Sequence, residues 1–377
     1  MKFKCNTKNF SNAIKLVSKT VANKKTTTML PILEGIKIKT EDNKLIISAT
    51  NIDIFIEKII EADVIEQGET VVISKIFDDF LAKISSVASI EVENIDKKLL
   101  INYNENQTEL MCEDAKAFPT MQQVENGDTF KIYADKLRTV LEKTLFCASQ
   151  DNSRPILKGA LIELNEDKLA VVTLDGHRLA YGETEVLESQ GEIKKVIPSK
   201  NLAELIKALD NDKQIVTVKI HSNNILFDIG DTKITMIELQ GDYVDYKKVL
   251  PKVSNTTLII EKDKLLETLE RTNVFAKEHS ANYIKIRIED SDVLITSNST
   301  QGKVKEKIKA QNSGTTNELE VAFNNRYLIE PIKIINTDYV CIKFESESRP
   351  VIIKPFKNDQ EVEGFTYLVL TIRDRDK

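Results

Sequence analysis

Phe10, Ala13, Ile14, Val17 and Val21 fall three or four residues apart on one helical face, and Leu137, Val140, Leu141 and Leu145 repeat that spacing. The first set predicts a helix over residues 9–23. Asp135 and Asp263 stand where N-cap acceptors belong, and Ser74, Ser199 and Asn325 do the same ahead of a second kind of helix. Pro331 falls inside the last of these and is expected to shorten or kink it. Between the helices, apolar and polar residues alternate in runs such as LEGIKIKTE, LIISATNIDIFIEKII and ALIELNEDKLAVVTL, broken by polar turns. These are period-two strands. Helices do not alternate with single strands, so the pattern predicts an α+β chain with mostly antiparallel sheets rather than an α/β one.

The pattern recurs. FKCNTKNFSNAIKLVSKTV begins at Phe3, FKIYADKLRTVLEKTLFCA at Phe130 and LIIEKDKLLETLERTNVFA at Leu258, offsets of 127 and 128. KLIISATN, KLAVVTLD and DVLITSNS begin at Lys44, Lys168 and Asp292, offset by 124 both times. VVISKIFDDFL, KVIPSKNLAEL and EVAFNNRYLIE follow in the same order, each with one basic residue just inside its helix: Lys75, Lys200 and Arg326. Several features in one order at nearly one spacing predict three similar modules. We set their boundaries at 1–125, 126–252 and 253–377. A chain of 377 residues exceeds what one core usually organises.

Charge refines this. There are 53 basic and 59 acidic residues, a net −6, which argues against indiscriminate polyanion binding. The distribution is uneven: Lys15 and Lys19 lie one turn apart on the first helix, with no acid between them, and Lys24 and Lys25 follow. Arg138 and Arg271 occupy comparable helices in the later modules, interleaved with acids. Such side chains suit ordinary solvated helix faces; recurring three times, they also suit a shared anionic partner met through its phosphates. The four cysteines form no CxxC pair and read as reduced core thiols of a cytoplasmic protein. No apolar run is long enough for a membrane span. The three histidines have no metal-ligand spacing, and phosphate-loop, dinucleotide, zinc-protease and serine-hydrolase motifs are missing, so no metal and no cofactor is expected. The segment TLDGHRLAYGE, residues 173–183, places Asp175 two residues from His177. A hydrolase built on that pair would need a nucleophile, and none can be nominated.

With SRPILKGALIEL, GDYVDYKKVLPK, LPILEGIKI and the near-terminal YLVLTIR, the DGHRLA segment strongly resembles the bacterial DNA polymerase III beta subunits, the replicative sliding clamps. The likeness runs over essentially the whole chain. It implies three similar clamp domains, closing with a second copy head-to-tail into a ring with helices inside and sheets outside. It implies no catalysis. The implied partners are double-stranded DNA held without regard to sequence, the polymerase III core, the clamp loader, and other polymerases and repair factors carrying short hydrophobic peptides. No membrane is among them.

The resemblance also assigns residues. A peptide-binding pocket is implied at Leu157, Gly176, His177, Arg178, Leu179, Val244, Val249, Pro350, Leu368, Leu370, Ile372 and Arg373. Apolar side chains there offer buried area, Gly176 a tight turn, and His177 and Arg178 polar groups at the rim. The same apolar residues also suit plain strand core. DNA-facing positions are implied at Lys24, Lys25, Arg154 and Lys200, beside the helix-face candidates Lys15, Lys19, Arg138 and Arg271. The dimer seam is implied at Leu110, Val274 and Phe275. Val244 and Thr371 replace frequent prolines, Leu174 replaces a small polar residue, and the chain continues as DRDK past Arg373. These departures bear on the pocket's shape. Two rivals stand beside this reading: an enzyme acting through Asp175 and His177, and an interaction protein that never encircles DNA.

Overall fold

Both apolar periodicities fold as helices. They are α1 (Thr7–Ser18), α2 (Ser74–Ile84), α3 (Ala134–Thr144), α4 (Ser199–Ile206), α5 (Lys262–Ala276) and α6 (Asn325–Ile334) in the computed structural model, which describes residues 1–21, 30–120, 127–251, 253–278, 281–314 and 318–372. Lys75, Lys200 and Arg326 are each the second residue of their helix, and each is exposed. The first helix stops at Ser18 rather than at residue 23. The Thr20 hydroxyl donates to the Val17 carbonyl at 2.6 Å, giving the backbone a local alternative to another helical turn.

The capping positions also shift. Asp135 and Asp263 lie inside the first turns of α3 and α5, where a carboxylate still complements the helix dipole. Side-chain caps are seen at Asn6, accepting from the Asn9 amide, and at Asn324, accepting from the Arg326 amide, both at 3.0 Å. Asn325 is buried instead and donates its side-chain amide to the Leu269 carbonyl at 2.8 Å, tying α6 to α5. Ser74 and Ser199 are the first helical residues, not the caps before them.

Pro331 does not end α6, which continues to Ile334. Proline lacks the amide that would satisfy the carbonyl four residues earlier. That carbonyl belongs to Tyr327, and the fully buried Tyr367 donates its hydroxyl to it at 2.6 Å. Tyr367→Phe keeps the ring and orphans a buried acceptor. We expect a loss of about 1–3 kcal/mol, read as a lower denaturant midpoint; an unchanged midpoint would remove this account of how α6 accommodates its proline.

The chain forms two compact units, residues 1–135 with 186–193 and 200–238, and residues 136–185 with 194–199 and 239–377. The first holds a 14-stranded sheet. Within it Phe10 of α1 lies edge-on to Phe3 and Phe77, with centroids 5.8 and 5.7 Å apart. Strand Ile54–Glu61 of the first module pairs with Thr232–Ile237 of the second, with Ile56 opposite Ile234. The second unit holds a ten-stranded and a four-stranded sheet. There Arg178–Glu185 of the second module pairs with Phe365–Val369 of the third, with Ala180 opposite Tyr367. The middle repeat thus feeds both units. The strand ladders are antiparallel throughout the described residues, as alternation with short turns demands.

Candidate functional site

Strand Lys168–Leu174 leads into the turn that carries Asp175, Gly176 and His177, and strand Arg178–Glu185 leads away. Asp175 Oδ1 accepts from the backbone amides of His177 and Arg178 at 2.9 and 3.1 Å, and Oδ2 accepts from Arg178 Nε at 2.9 Å. Gly176 has φ +92°, and a Cβ there would meet nothing within 4 Å. The backbone conformation, not lack of room, is what calls for glycine. Both oxygens of Asp175 are committed to the turn, and its link to His177 runs through the main chain. The Asp175–His177 pair is therefore not a base and its orienter.

Arg178, expected at the rim, is buried at 7% exposure. Its fork is used inward: Nε on Asp175, Nη1 on the Glu330 carboxylate of α6, and Nη2 on the Phe146 carbonyl at 3.3 Å. Its guanidinium also lies 4.4 Å from the Tyr327 ring centroid. A buried guanidinium needs such pairing, because its desolvation is otherwise prohibitive. Burial would raise the Glu330 pKa, but the hydrogen bonds from Arg178 and Arg326 outweigh it and hold Glu330 below the ordinary carboxylate value. His177 is left exposed at the turn's tip, its carbonyl accepting from the Leu370 amide at 2.8 Å.

Leu157, Leu179 and Leu368 come together in one buried apolar cluster. Leu161, Val172, Leu174, Val196, Tyr246 and Ile352 complete it, with Tyr243 and Leu250 packed against it. Leu174 contributes apolar volume to this floor, which suits a leucine in place of a small polar residue. Tyr243 donates to the Val172 carbonyl at 3.2 Å and Tyr246 to Glu163 at 2.7 Å, so both rings can be buried with their hydroxyls satisfied. Sequence reasoning missed Tyr243, Tyr246 and Ile352; Ile352 lies in the run Val351–Ile352–Ile353, whose members are all buried, so alternation gives it no face. Val244, Val249 and Leu370 expose 39%, 40% and 38%, far more than a strand core would. Pro350 and Ile372 are half-buried, and the Ile372 amide donates to the Ala322 carbonyl at 2.8 Å. Arg373 lies outside the described residues.

In the first unit, Lys15 and Lys19 line a groove of about 1330 Å³. Lys44, Lys58, Lys207 and Lys213 line it too, with Glu61, Asp210 and Asp231. Lys58 is held by Asp231 at 2.7 Å and Lys207 by Glu204 at 2.7 Å. Lys15, Lys19, Lys44 and Lys213 are exposed and form no ion pair among the described residues. Lys44 and Lys213 escaped sequence reasoning because they sit at a strand start and in a loop, off any helical periodicity. Arg154 and Lys200 are exposed, and Arg138 is half-buried. Arg271 is engaged by Glu306 at 2.9 Å and by Glu267 at 3.7 Å. Lys24 and Lys25 lie outside the described residues.

Several strand edges are open among the described residues, and two of them belong to the first and third modules. Gly302–Lys309 pairs along its whole length with Asp292–Ser299 and ends its sheet. Asn106–Glu113 pairs with Lys98–Tyr103 on one side, but on the other only Cys112 and Glu113 meet Val72 and Val71. Leu110 is half-buried on that strand and Met111 is 65% exposed. Val274 on α5 is 64% exposed, and Phe275 is half-buried beside Gly302. All four cysteines are free and buried, and burial pushes the Cys5 thiol up to about 12. No group of side chains that could hold a metal occurs among the described residues, and no helix there is long and apolar enough to cross a membrane.

Descriptions of the DNA polymerase III beta subunit match in three parts: the N-terminal domain at residues 1–122, the central domain at 131–245 and the C-terminal domain at 247–373. The beta sliding clamp of Staphylococcus aureus is 30% identical over 356 residues, covering 92% of this chain and 93% of that one. Among solved structures, the DNA polymerase sliding clamp of Bacillus subtilis superposes with a TM-score of 0.92 at 27% identity, over 99% of both chains. The DNA polymerase III beta subunit of Thermotoga maritima gives 0.91 at 25% identity, again over 99% of each.

Proposed function

Because the chain belongs to the DNA polymerase III beta subunit family, the sliding clamps, we propose that two copies close head-to-tail through the open edges of Gly302–Lys309 and Asn106–Glu113, and that the lysine groove faces duplex DNA inside the ring. The protein is a processivity factor of the polymerase and does no chemistry itself. Its partners are DNA and the polymerase, and a dimeric ring is the family's working form.

One observation supports the seam. Strands starting at Ile54, Arg178 and Gly302 are equivalent, each 124 residues after the last. The first two pair with a strand of the following module, Thr232–Ile237 and Phe365–Val369. The third meets no such strand among the described residues, and Asn106–Glu113 of the first meets no strand of that kind along most of its outer edge. A second copy supplies both missing neighbours, closes the ring and removes two open edges. Leu110 is on one of these strands, Phe275 of α5 packs beside Gly302 of the other, and the same reading assigns the neighbouring Val274 to the seam. The module boundaries 1–125, 126–252 and 253–377 follow the same reading. Retention on nicked circular duplex after loading, lost on linearising it, tests encirclement. Equal retention on both forms would return the interaction-protein reading.

The exposed Val244, Val249 and Leu370, together with the buried Leu157–Leu179–Leu368 cluster, suit short hydrophobic peptides from the polymerase III core, the clamp loader, other polymerases and repair factors. His177 is tied to Leu370 through its carbonyl, and the same reading assigns Gly176, Pro350, Ile372 and Arg373 to the pocket. As a replication protein the chain works where the bacterial chromosome lies, in the cytoplasm. Val249→Ala with Leu370→Ala should weaken a fluorescein-labelled peptide bearing leucine and phenylalanine about tenfold or more, ~1.4 kcal/mol, with the ring's mass unchanged. Undiminished binding would place the peptide elsewhere.

A further inference from the structure

We infer that Arg178 and Glu330 are positioning residues that latch the central-domain turn to helix α6 of the C-terminal domain and so fix where His177 stands, an inference that rests on the pocket reading above. Arg178 cannot serve a peptide directly while it is buried, with its Nε on Asp175, its Nη1 on Glu330 and its Nη2 on Phe146. A peptide that took any of these donors would strip a partly buried carboxylate or carbonyl oxygen of its guanidinium partner. What the arrangement does instead is hold the backbone. The His177 amide is bound to Asp175, its carbonyl accepts from the Leu370 amide at 2.8 Å, and Arg178 anchors the next residue to α6. The imidazole then stands nearly parallel to the Tyr327 ring, at 23° and 6.2 Å between centroids, on the same tyrosine that the Arg178 guanidinium covers at 4.4 Å. The latch thus sets two parts of the pocket wall at once: the His177 side chain and the Leu370 backbone. Glu330 Oε1 also accepts from the exposed Arg326 at 2.5 Å, but Arg326 touches none of the turn and is dispensable for this role.

Glu330→Gln keeps the shape and an acceptor while removing the charge, and Arg178→Lys keeps the charge while removing the fork. The test reads anisotropy of the same fluorescein-labelled peptide together with the His177 imidazole proton signal, assigned by its loss in His177→Gln. Glu330→Gln and Arg178→Lys should each weaken the peptide about tenfold and shift the His177 signal away from its ring-stacked position. Because they break one interaction, the double variant should cost no more than the worse single. Arg326→Gln should change neither readout. Wild-type affinity with an unmoved His177 signal in Glu330→Gln overturns the latch; so does a loss of affinity with the signal unmoved, which would mark a role in general stability only. Failure of the pocket reading looks different: no peptide binding in the unaltered protein, or no loss in Leu370→Ala. The His177 signal still decides the latch in that case.

Discussion

Met111→Asp combined with Val274→Asp is expected to leave a folded chain of 42.7 kDa where the unaltered protein forms a dimer of twice that mass, about 85 kDa. The two positions expose 65% and 64% of their surface in the single chain, more than any other large apolar residue among those described. A carboxylate at either therefore costs the isolated fold little. In the proposed seam both carboxylates would lose water at an apolar contact. An uncompensated buried charge costs on the order of 3–5 kcal/mol, and each substitution occurs at both seams of a two-fold ring. Dissociation should rise at least about a hundredfold to a thousandfold. Light scattering after size exclusion reads the mass, and an unchanged far-ultraviolet dichroism spectrum with a single cooperative melt shows the fold intact. Retention on circular DNA should vanish with the dimer. A variant that keeps the dimer mass at micromolar concentration would place the seam elsewhere and detach the open strand edges from ring closure.

The architecture was readable because its signals are local and repeated. Phe10, Ala13, Ile14 and Val17 are all buried as their spacing predicts, and strand alternation returns as antiparallel ladders. Helix ends were less legible. A cap depends on one hydrogen bond, and neighbouring polar residues compete for it: Asn324 won over Asn325 because Asn325 found a buried partner on α5. The site divides the same way. Leu179 and Leu368 were assigned together from their motifs and do share one buried cluster. That Arg178 points inward could not, because its partner Glu330 lies 152 residues away and nothing in the local sequence announces the meeting. Tyr367 and Pro331 illustrate the same limit: the hydroxyl that repairs the helix comes from another strand.

In the groove proposed to face DNA, two of the exposed lysines were missed by sequence reasoning. Helical periodicity found Lys15 and Lys19, but Lys44 and Lys213 complete the unpaired set only once the fold brings them together. A clamp must hold duplex weakly enough to slide, so its cations should act through counterion release rather than through fixed hydrogen bonds. Replacing Lys15, Lys19, Lys44 and Lys213 by alanine should flatten the salt dependence of duplex affinity by about 0.9 for each phosphate no longer neutralised, roughly 3–4 in log–log slope if all four reach phosphates. Affinity for linear duplex at low salt should fall steeply, while a ring already loaded on circular DNA should stay on, because topology rather than charge retains it. Arg271→Ala supplies the contrast. Its guanidinium is already neutralised by Glu306 and Glu267, so its removal should scarcely change the slope. A quadruple variant whose slope matches the unaltered protein would show that the groove does not face DNA. A large slope change from Arg271→Ala alone would mean that Glu306 releases the arginine to a phosphate, and that free cations in the resting chain are a poor guide to the lining.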